Sequence, residues 1–388
     1  MPLRKGRDPS MGLEALEMFS KFDLFAPGDK TKVSESTRQK KVVEAFKEGL
    51  EQSLKNPSRV HGWRAQALFE AVIIALGSVT LIKTEDAGSY YYDDTDGSVR
   101  LPDFRIVACD GENLLVEVKT VRPQAQTHSI RERDLEAQLR YAQLTGSRLL
   151  VAHYWAMVNM WTIVDANVLQ RNNGRASISF ESASMANEFV FLGDAMVGTI
   201  PPLTFSVLAD KTKPRVAGPI KDEQRSVEFT IGGVELISGQ NVLVDELEQR
   251  IAWFLMLYGN WEVEQILRIE EEGGNRIDRI DTVTTPPSPD RDAAAQISEQ
   301  GFALVGYLSS MYSSLWNAAT LTDEGDVRRL RQEPDPGVLA ELIPPDYWER
   351  ESSLLPIWLL QIGPSFGPSV SKEIKLRRPW DPNSGRRS

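Results

Sequence analysis

The first half of the sequence predicts an α/β fold, and the second half predicts an additional α+β domain. Apolar residues recur with helical spacing in some segments and alternate with period two in others. The two kinds of segment follow one another along the chain, which is typical of an α/β unit. The segments of the first half are, in order, helices at 36–55 and 63–76, strands at 79–83, 103–109 and 114–120, a helix at 131–145, and strands at 149–155 and 158–164.

Local signals mark the ends of these elements. Gly77 ends the second helix and Gly146 ends the third, because glycine adopts without strain the left-handed conformation that terminates helices. Asp110 and Gly111 separate the two central strands. This pair predicts a tight hairpin between the strands.

The domain organisation follows from length and from a change in composition. A chain of 388 residues exceeds an ordinary compact domain, so two domains are expected. Pro214, Gly218 and Pro219 lie in a segment that is typical of a linker. The predicted parts are an N-terminal arm and helix at 1–57, a first domain at 58–210, a linker at 211–224, a second domain at 225–375 and a disordered tail at 376–388.

The second domain combines predicted hairpins with predicted helices. Glycine pairs at 232–233 and 273–274 predict the turns of two hairpins. Asp245 and Glu248 form a capping-box pattern, which predicts a helix that begins there and runs to residue 259. A later segment, 293–319, is predicted to be largely helical.

Composition indicates a soluble globular protein, with 41% hydrophobic and 26% charged residues. No apolar run is long enough to span a bilayer, and the basic N-terminus lacks the apolar stretch of a secretory signal. The single cysteine, Cys109, excludes an intrachain disulfide, and the three histidines add no zinc-binding pattern. These features predict a cytoplasmic protein that does not bind membranes.

The net charge of −11 is unevenly distributed. Residues 1–200 carry 24 Lys and Arg against 26 Asp and Glu, whereas residues 201–388 carry 20 against 29. A strong nonspecific DNA-binding protein would have a basic surface instead. The acidic second half therefore predicts contact with protein or solvent, not with nucleic acid.

The central hairpin has a pattern that determines its register. Even-numbered positions are apolar in both strands, at 104–108 and at 114–118, so each strand has one apolar face. The two apolar faces share one core only if the two residue numbers of each cross-strand pair add up to an even number. That requires a loop with an odd number of residues, for example three residues with Gly111 at a positive φ angle.

The same register predicts a charged cluster on the opposite face, where Asp103, Glu117 and Lys119 become neighbours across the ladder. Two carboxylates are hard oxygen ligands that suit Mg²⁺ or Mn²⁺, and these ions keep open positions for water and a phosphate oxygen. A bound ion lowers the pKa of the attacking water, and a nearby lysine can orient or deprotonate that water. The cluster therefore predicts hydrolysis of phosphodiester bonds.

The order Pro102-Asp103 followed by Glu117-Val118-Lys119 resembles the signature of the PD-(D/E)XK nucleases, the restriction-endonuclease-like superfamily. The resemblance implies a restriction-endonuclease-like core, in which helices flank a mixed sheet. It implies that Asp103 and Glu117 bind the metal ion and that the Val118 carbonyl is a third ligand. Lys119 would then be the catalytic lysine.

The resemblance covers roughly residues 60–165 and includes three further residues. Many members have an acidic residue on the preceding helix, and Glu70 occupies that place as an auxiliary metal ligand; a solvated helix flank is the alternative. A subset has a Gln and a Tyr one turn apart on the following helix. Gln138 and Tyr141 resemble this pair as substrate-binding residues, with a spacing of three instead of four.

These observations predict a divalent-metal-dependent endonuclease that acts on DNA. An RNA or dual-specificity nuclease is one alternative, because the same chemistry cleaves either backbone. A catalytically silent nucleic-acid-binding scaffold with the nuclease fold is another. The acidic second half lacks a catalytic motif and predicts a protein partner, or self-assembly, that directs or restrains cutting, as in effector nucleases of bacterial antiviral defence.

Overall fold

A five-stranded mixed sheet forms the centre of the first half. The computed structural model describes residues 3, 11–22, 32–85, 90–93, 97–221, 224–270, 275–287, 302–364 and 375–376. The strands of the central sheet are β1 (Val79–Thr84), β2 (Phe104–Ala108), β3 (Asn113–Val121), β5 (Arg148–Trp155) and β6 (Met160–Asp165). They lie in the order β1-β2-β3-β5-β6, with β3 and β5 parallel and all other neighbours antiparallel.

Helices cover both faces of this sheet, which confirms the predicted α/β class. On one face lies α3 (Pro57–Leu76), and on the other lies α4 (Glu132–Leu144). Beside α4 lie three short strands, β4 (Thr127–Arg131), β7 (Gln170–Asn172) and β8 (Arg175–Ser179). They form a small sheet of order β4-β8-β7, which packs with α5 (Phe180–Met185).

α3 ends where Gly77 predicts, but it begins at Pro57, six residues before the predicted start at residue 63. The side chain of Asn56 caps α3 by accepting the N–H of Arg59, and Pro57 begins the helix, where no N–H is needed. Gly77 and Gly146 follow α3 and α4 with φ angles of 65° and 59°. The helices α1 (Met11–Phe22) and α2 (Ser36–Leu54) precede this core.

The second half has the predicted α+β content. Its helices are α6 (Glu246–Tyr258), α7 (Leu308–Thr320) and α8 (Val338–Leu342). Its sheets also include β9 (Met196–Thr199), which precedes residue 201. The other strands are β10 (Leu203–Ala209), β11 (Arg215–Lys221), β12 (Gln224–Phe229), β13 (Ile231–Ser238), β14 (Asn241–Val242), β15 (Glu262–Ile269), β16 (Ile277–Thr285), β17 (Ala303–Tyr307), β18 (Ile357–Gln361) and β19 (Lys375–Leu376). They form sheets of the orders β14-β13-β10-β16-β15, β11-β12 and β17-β9-β18-β19. In the described part of the chain, no helix is both long and apolar enough for a bilayer span.

The segment predicted as a linker, 211–224, contains a strand instead. β11 pairs with β12, and the register shifts between Ala217 and Ile220. Gly218 and Pro219 lie in this irregularity, where a proline that cannot donate a backbone hydrogen bond is tolerated. Composition alone therefore indicated a linker where the chain forms an irregular hairpin.

Two other elements of the second half differ from their predictions. Gly232 lies inside β13 and not in a turn. A Cβ there would approach the backbone of Asp210 to 2.9 Å, so this close approach requires glycine. In the segment predicted as helix, 303–307 is the strand β17, and the helix α7 begins only at Leu308. β15 and β16 form the second predicted hairpin. The glycines of its predicted turn, 273–274, lie outside the described residues, as does most of the predicted tail.

The two predicted domains share one hydrophobic core. A single cluster of buried side chains includes Phe69 of α3, Trp161 of β6, Leu255 of α6 and Trp316 of α7. Polar contacts cross the same boundary, since Trp161 Nε1 donates to Ser313 Oγ at 3.0 Å. The parts of the chain before and after the predicted boundary at 211–224 therefore share one hydrophobic core.

A buried carboxylate links the two halves. Asp194 Oδ1 accepts the N–H groups of Ala195 and Ser309, each at 3.0 Å, and Oδ2 accepts the Ser309 hydroxyl at 2.6 Å. These bonds satisfy donors at the N-terminus of α7. Burial raises the pKa of Asp194 to about 6.

Asp194 makes stability depend on pH. Its folded-state pKa exceeds the ordinary value of 3.8, so its contribution is fully present below pH 3.8 and is lost as pH rises through 6. We expect this group to lower the free energy of unfolding by about 1 kcal/mol between pH 5 and pH 8. Asp194→Asn does not titrate; its oxygen can accept the two N–H groups, and its amide can donate to the Ser309 hydroxyl oxygen. Denaturant unfolding at both pH values measures the difference, and an equal pH dependence in both proteins would contradict this role.

Candidate active site

The hairpin of β2 and β3 has the predicted register. Phe104 pairs with Val116, so the numbers of paired residues have an even sum. The loop consists of residues 109–111, and Gly111 has a φ angle of 90°. The apolar faces of both strands join the core beneath α3. The period-two pattern thus predicted both the loop length and the faces of the hairpin.

Three carboxylates lie on or beside the adjacent strands β1, β2 and β3. Glu117 lies opposite Asp103 when the β2–β3 register continues one residue beyond Phe104. Thr84 of β1 also pairs with Phe104, which brings Glu85 opposite Asp103 on the other side. The N–H of Glu85 donates to the carbonyl of Asp103 at 2.9 Å. Position in sequence did not single out Glu85, because it follows β1 and precedes a segment without a motif.

Asp103 lies one residue before β2 and is held by two donors. Gln66 Nε2 of α3 donates to Oδ1 at 2.6 Å, and the N–H of Val118 donates to Oδ2 at 2.6 Å. The side chain is buried, with 7% of its surface exposed. These donors orient the carboxylate next to Glu117, the neighbour of Val118 in β3.

Glu117 is bound on both oxygens. Lys119 Nζ contacts Oε1, and Gln138 Nε2 of α4 donates to Oε2 at 2.5 Å. Glu117 and Gln138 are buried, whereas 30% of the Lys119 side chain is exposed. The amine therefore lies between a buried carboxylate and solvent, and α4 brings the predicted Gln138 to the cluster.

Glu70 has a different environment from the one expected of an auxiliary ligand. Its carboxylate pairs with Arg331 at 2.9 Å, and it borders a cavity between α3, β1 and residues 331–336. The α3 side chain that bonds to Asp103 is Gln66, one turn earlier. A helical wheel gives the direction of a side chain but not which turn lies next to the end of a strand.

Tyr141, predicted to bind substrate, is part of a separate network. Its hydroxyl donates to Glu85, which Arg105 also binds, through Nη2 at 2.7 Å and Nε at 3.2 Å. The Arg105 hydrogen bond lowers the pKa of Glu85, and burial raises the pKa of Tyr141. The carboxylate of Glu85 is thus neutralised by a cation.

Tyr141→Phe tests whether the Tyr141 hydroxyl stabilises the fold or contacts the substrate. Glu85 keeps Arg105, so we expect a loss of about 1 kcal/mol in stability and an unchanged KM for a nucleic-acid substrate. Tyr91→Phe is the matched control, because Tyr91 is 97% exposed. Thermal unfolding and steady-state kinetics provide both readouts. A raised KM with unchanged stability would instead support the substrate contact.

Two histidines that sequence did not connect lie beside Lys119. His153 faces Lys119 across the parallel β3–β5 ladder. His153 Nε2 and His128 Nδ1 of β4 share a hydrogen bond at 3.2 Å. Burial lowers the pKa of His128 to about 4 and that of His153 well below its usual range, and the Lys119 cation lowers both further. Both rings are therefore neutral at pH 7.

The donor set suits a divalent ion that keeps part of its water shell. No three His, Cys, Asp or Glu side chains of the described residues lie close enough together to hold a metal ion. Asp103 and Glu117 supply two neighbouring carboxylates, and the Val118 carbonyl lies on the same strand edge as its N–H. Mg²⁺ is commonly bound through one or two carboxylates together with water and substrate phosphates, and Mn²⁺ accepts the same ligands. The residues present therefore fit either ion.

Comparison with solved structures gives partial similarities. No family model matches the chain, and no curated protein matches it. A solved structure with local similarity is Hjc, a Holliday junction resolvase from the archaeal hyperthermophile Archaeoglobus fulgidus. The two are 18% identical, the similarity covers 24% of this chain and 74% of that one, and the TM-score is 0.22.

Proposed function

We propose that the protein is a divalent-metal-dependent nuclease that hydrolyses phosphodiester bonds of DNA. The observation that carries the proposal is a pair of carboxylates: Asp103 accepts the N–H of Val118, whose neighbour in β3 is Glu117, and Lys119 is bound to Glu117. Burial of two acids is costly unless donors or a cation compensate for it. Here a half-exposed lysine and two glutamine amides do so, at a site that the solvent reaches.

In this proposal, different residues of the chain have different roles in hydrolysis. Asp103 and Glu117 would hold Mg²⁺ or Mn²⁺ together with the Val118 carbonyl. When bound, the ion lowers the pKa of water and stabilises negative charge on the phosphate. Gln66 and Gln138 orient the two carboxylates, as hydrogen bonds to metal ligands commonly do. Glu70 remains a candidate auxiliary ligand only if its ion pair with Arg331 opens.

Lys119 has two tasks in this proposal. Its ammonium group offsets the charge that builds up on the phosphate as the attacking water adds. It also donates to that water and so orients it toward phosphorus. Its bond to Glu117 keeps the amine beside the ion-binding carboxylates.

Cutting would be directed or restrained by a protein partner or by self-assembly, as in antiviral effector nucleases. Neutralisation of phosphates by Lys and Arg supplies most nonspecific affinity for DNA. The second half offers 20 Lys and Arg against 29 Asp and Glu, so it contributes little of that affinity. The full-length protein alone is therefore expected to bind DNA weakly at physiological salt.

The decisive experiment incubates the full-length protein with supercoiled plasmid, linear duplex, single-stranded DNA and RNA. Each substrate is tested with Mg²⁺, with Mn²⁺ and with EDTA. We expect metal-dependent DNA cleavage that EDTA abolishes. Cleavage of RNA alone would favour the RNA nuclease, and binding without cleavage under every condition would favour the silent scaffold. Fast cutting at physiological salt without a partner would contradict the proposed restraint.

A further inference from the structure

We propose that His128 contacts the substrate of this site by donating a hydrogen bond from Nε2 to a phosphate oxygen of bound DNA, and that His153 is a positioning residue that holds His128 in the required tautomer. This proposal rests on the proposed function, because the phosphate belongs to the strand that Asp103, Glu117 and Lys119 would cleave. The contact would lie next to the catalytic lysine.

The position of the pair follows from two sheets. Lys119 and His153 are partners in the parallel β3–β5 ladder, so their side chains leave the sheet on the same face. β4 lies over that face, and its His128 meets His153 edge to face, with ring centres 5.0 Å apart. His153 has no exposed surface, whereas His128 is half-buried.

The tautomers follow from one unpaired atom. His153 Nδ1 is enclosed and has no hydrogen-bond partner among the described residues. A proton there would be a buried donor without an acceptor, and buried N–H groups are rarely left unpaired. The His153 proton therefore belongs on Nε2, which donates to His128 Nδ1. Since a neutral imidazole carries one proton, that of His128 is on its Nε2.

The free end of His128 is a donor in positive surroundings. Within the described ranges its Nε2 bonds to no protein atom, and it is not among the enclosed polar atoms, so solvent reaches it. Among the described residues, the cations Lys119 and Arg175 both add to the effect of burial in lowering the pKa of His128. An N–H donor that faces solvent near these cations fits an anion, and a phosphodiester of the bound strand supplies one.

The test combines binding with spectroscopy. Affinity for a short DNA duplex is measured with Ca²⁺ in place of Mg²⁺, for wild type, His128→Phe and His128→Gln. We expect His128→Phe to weaken binding about tenfold, and His128→Gln, which keeps an N–H at a similar position, to recover most of the loss. His61→Phe is the matched control, because His61 is an exposed histidine on α3. The ¹⁵N shifts of wild type at pH 7 report the tautomers directly.

The outcomes separate this proposal from the proposed function. Equal affinities of wild type and His128→Phe overturn the contact even if wild type cleaves DNA. A selective loss in His128→Phe supports the contact even if no metal ion produces cleavage, in which case hydrolysis is the part that fails. A loss seen with RNA and not with DNA overturns the choice of substrate. If His128→Phe does not fold, a wild-type His128 protonated on Nδ1 overturns the proposal, and one protonated on Nε2 supports it.

Discussion

Replacing Glu117 with glutamine is expected to lower the rate of DNA cleavage on the order of 1,000-fold, which corresponds to about 4 kcal/mol. The change removes one of the two negatively charged groups, Asp103 and Glu117, that are proposed to hold the ion. It also removes the ionic partner of Lys119, so the amine loses its fixed position. Single-turnover rates with saturating Mg²⁺ measure the effect.

The fold should tolerate this change. Glutamine has the shape of glutamate, and its amide can still pair with Gln138, so we expect a thermal midpoint near that of wild type. Glu136→Gln on α4 is the control, because Glu136 is 52% exposed and makes only a 3.7 Å surface ion pair with Arg171. Cleavage by Glu117→Gln at the wild-type rate would mean that the active site lies elsewhere.

Ending the chain after residue 224 is expected to unfold the central five-stranded sheet. α6 and α7 bury the same core as α3, and each large side chain removed from that core costs about 1.5–3 kcal/mol of burial. A folded domain is stable by only about 5–15 kcal/mol in total. The deletion also leaves the buried Arg64 without Thr320 and without the ring of Trp316.

Near-ultraviolet circular dichroism and limited proteolysis can follow this loss of structure. Ending the chain after residue 364 is the control, because the shared core cluster of the described residues includes nothing beyond that point. A cooperatively unfolding fragment 1–224 with intact DNA cleavage would contradict a shared core. It would restore the two-domain division that length alone suggested.

The charged cluster could be predicted because its cause is local. Apolar residues at alternate positions of two adjacent strands allow only registers with an even sum, and Gly111 supplies the positive φ angle of a three-residue loop. In this chain Asp103 precedes β2 and accepts the N–H of Val118, the neighbour of Glu117 in β3. The helix ends at Gly77 and Gly146 were predictable for the same reason, since one residue's conformation decides them.

The residues that contact Asp103 and Glu85 could not be predicted from local patterns, because they belong to segments distant in sequence. Gln66 and Glu70 are one turn apart on α3, and only the packing of that helix brings Gln66 to Asp103 and Glu70 to Arg331. Tyr141 follows Gln138 on the same helix, yet its hydroxyl bonds to Glu85 of another segment. The spacing of residues on a helix gives their directions but not their distances from a sheet.

The sequence by itself determined the α/β class and the register of the β2–β3 hairpin, whereas the assignment of Asp103, Glu117 and Lys119 to one active site stays a prediction. Only the tertiary structure decided that β4 lays His128 over His153, and that α6 and α7 complete the core beneath α3. The physical reason is the range of the interactions. Period-two and helical patterns reflect neighbours a few residues apart, whereas the packing of apolar faces is nondirectional and does not specify which face a distant segment will cover.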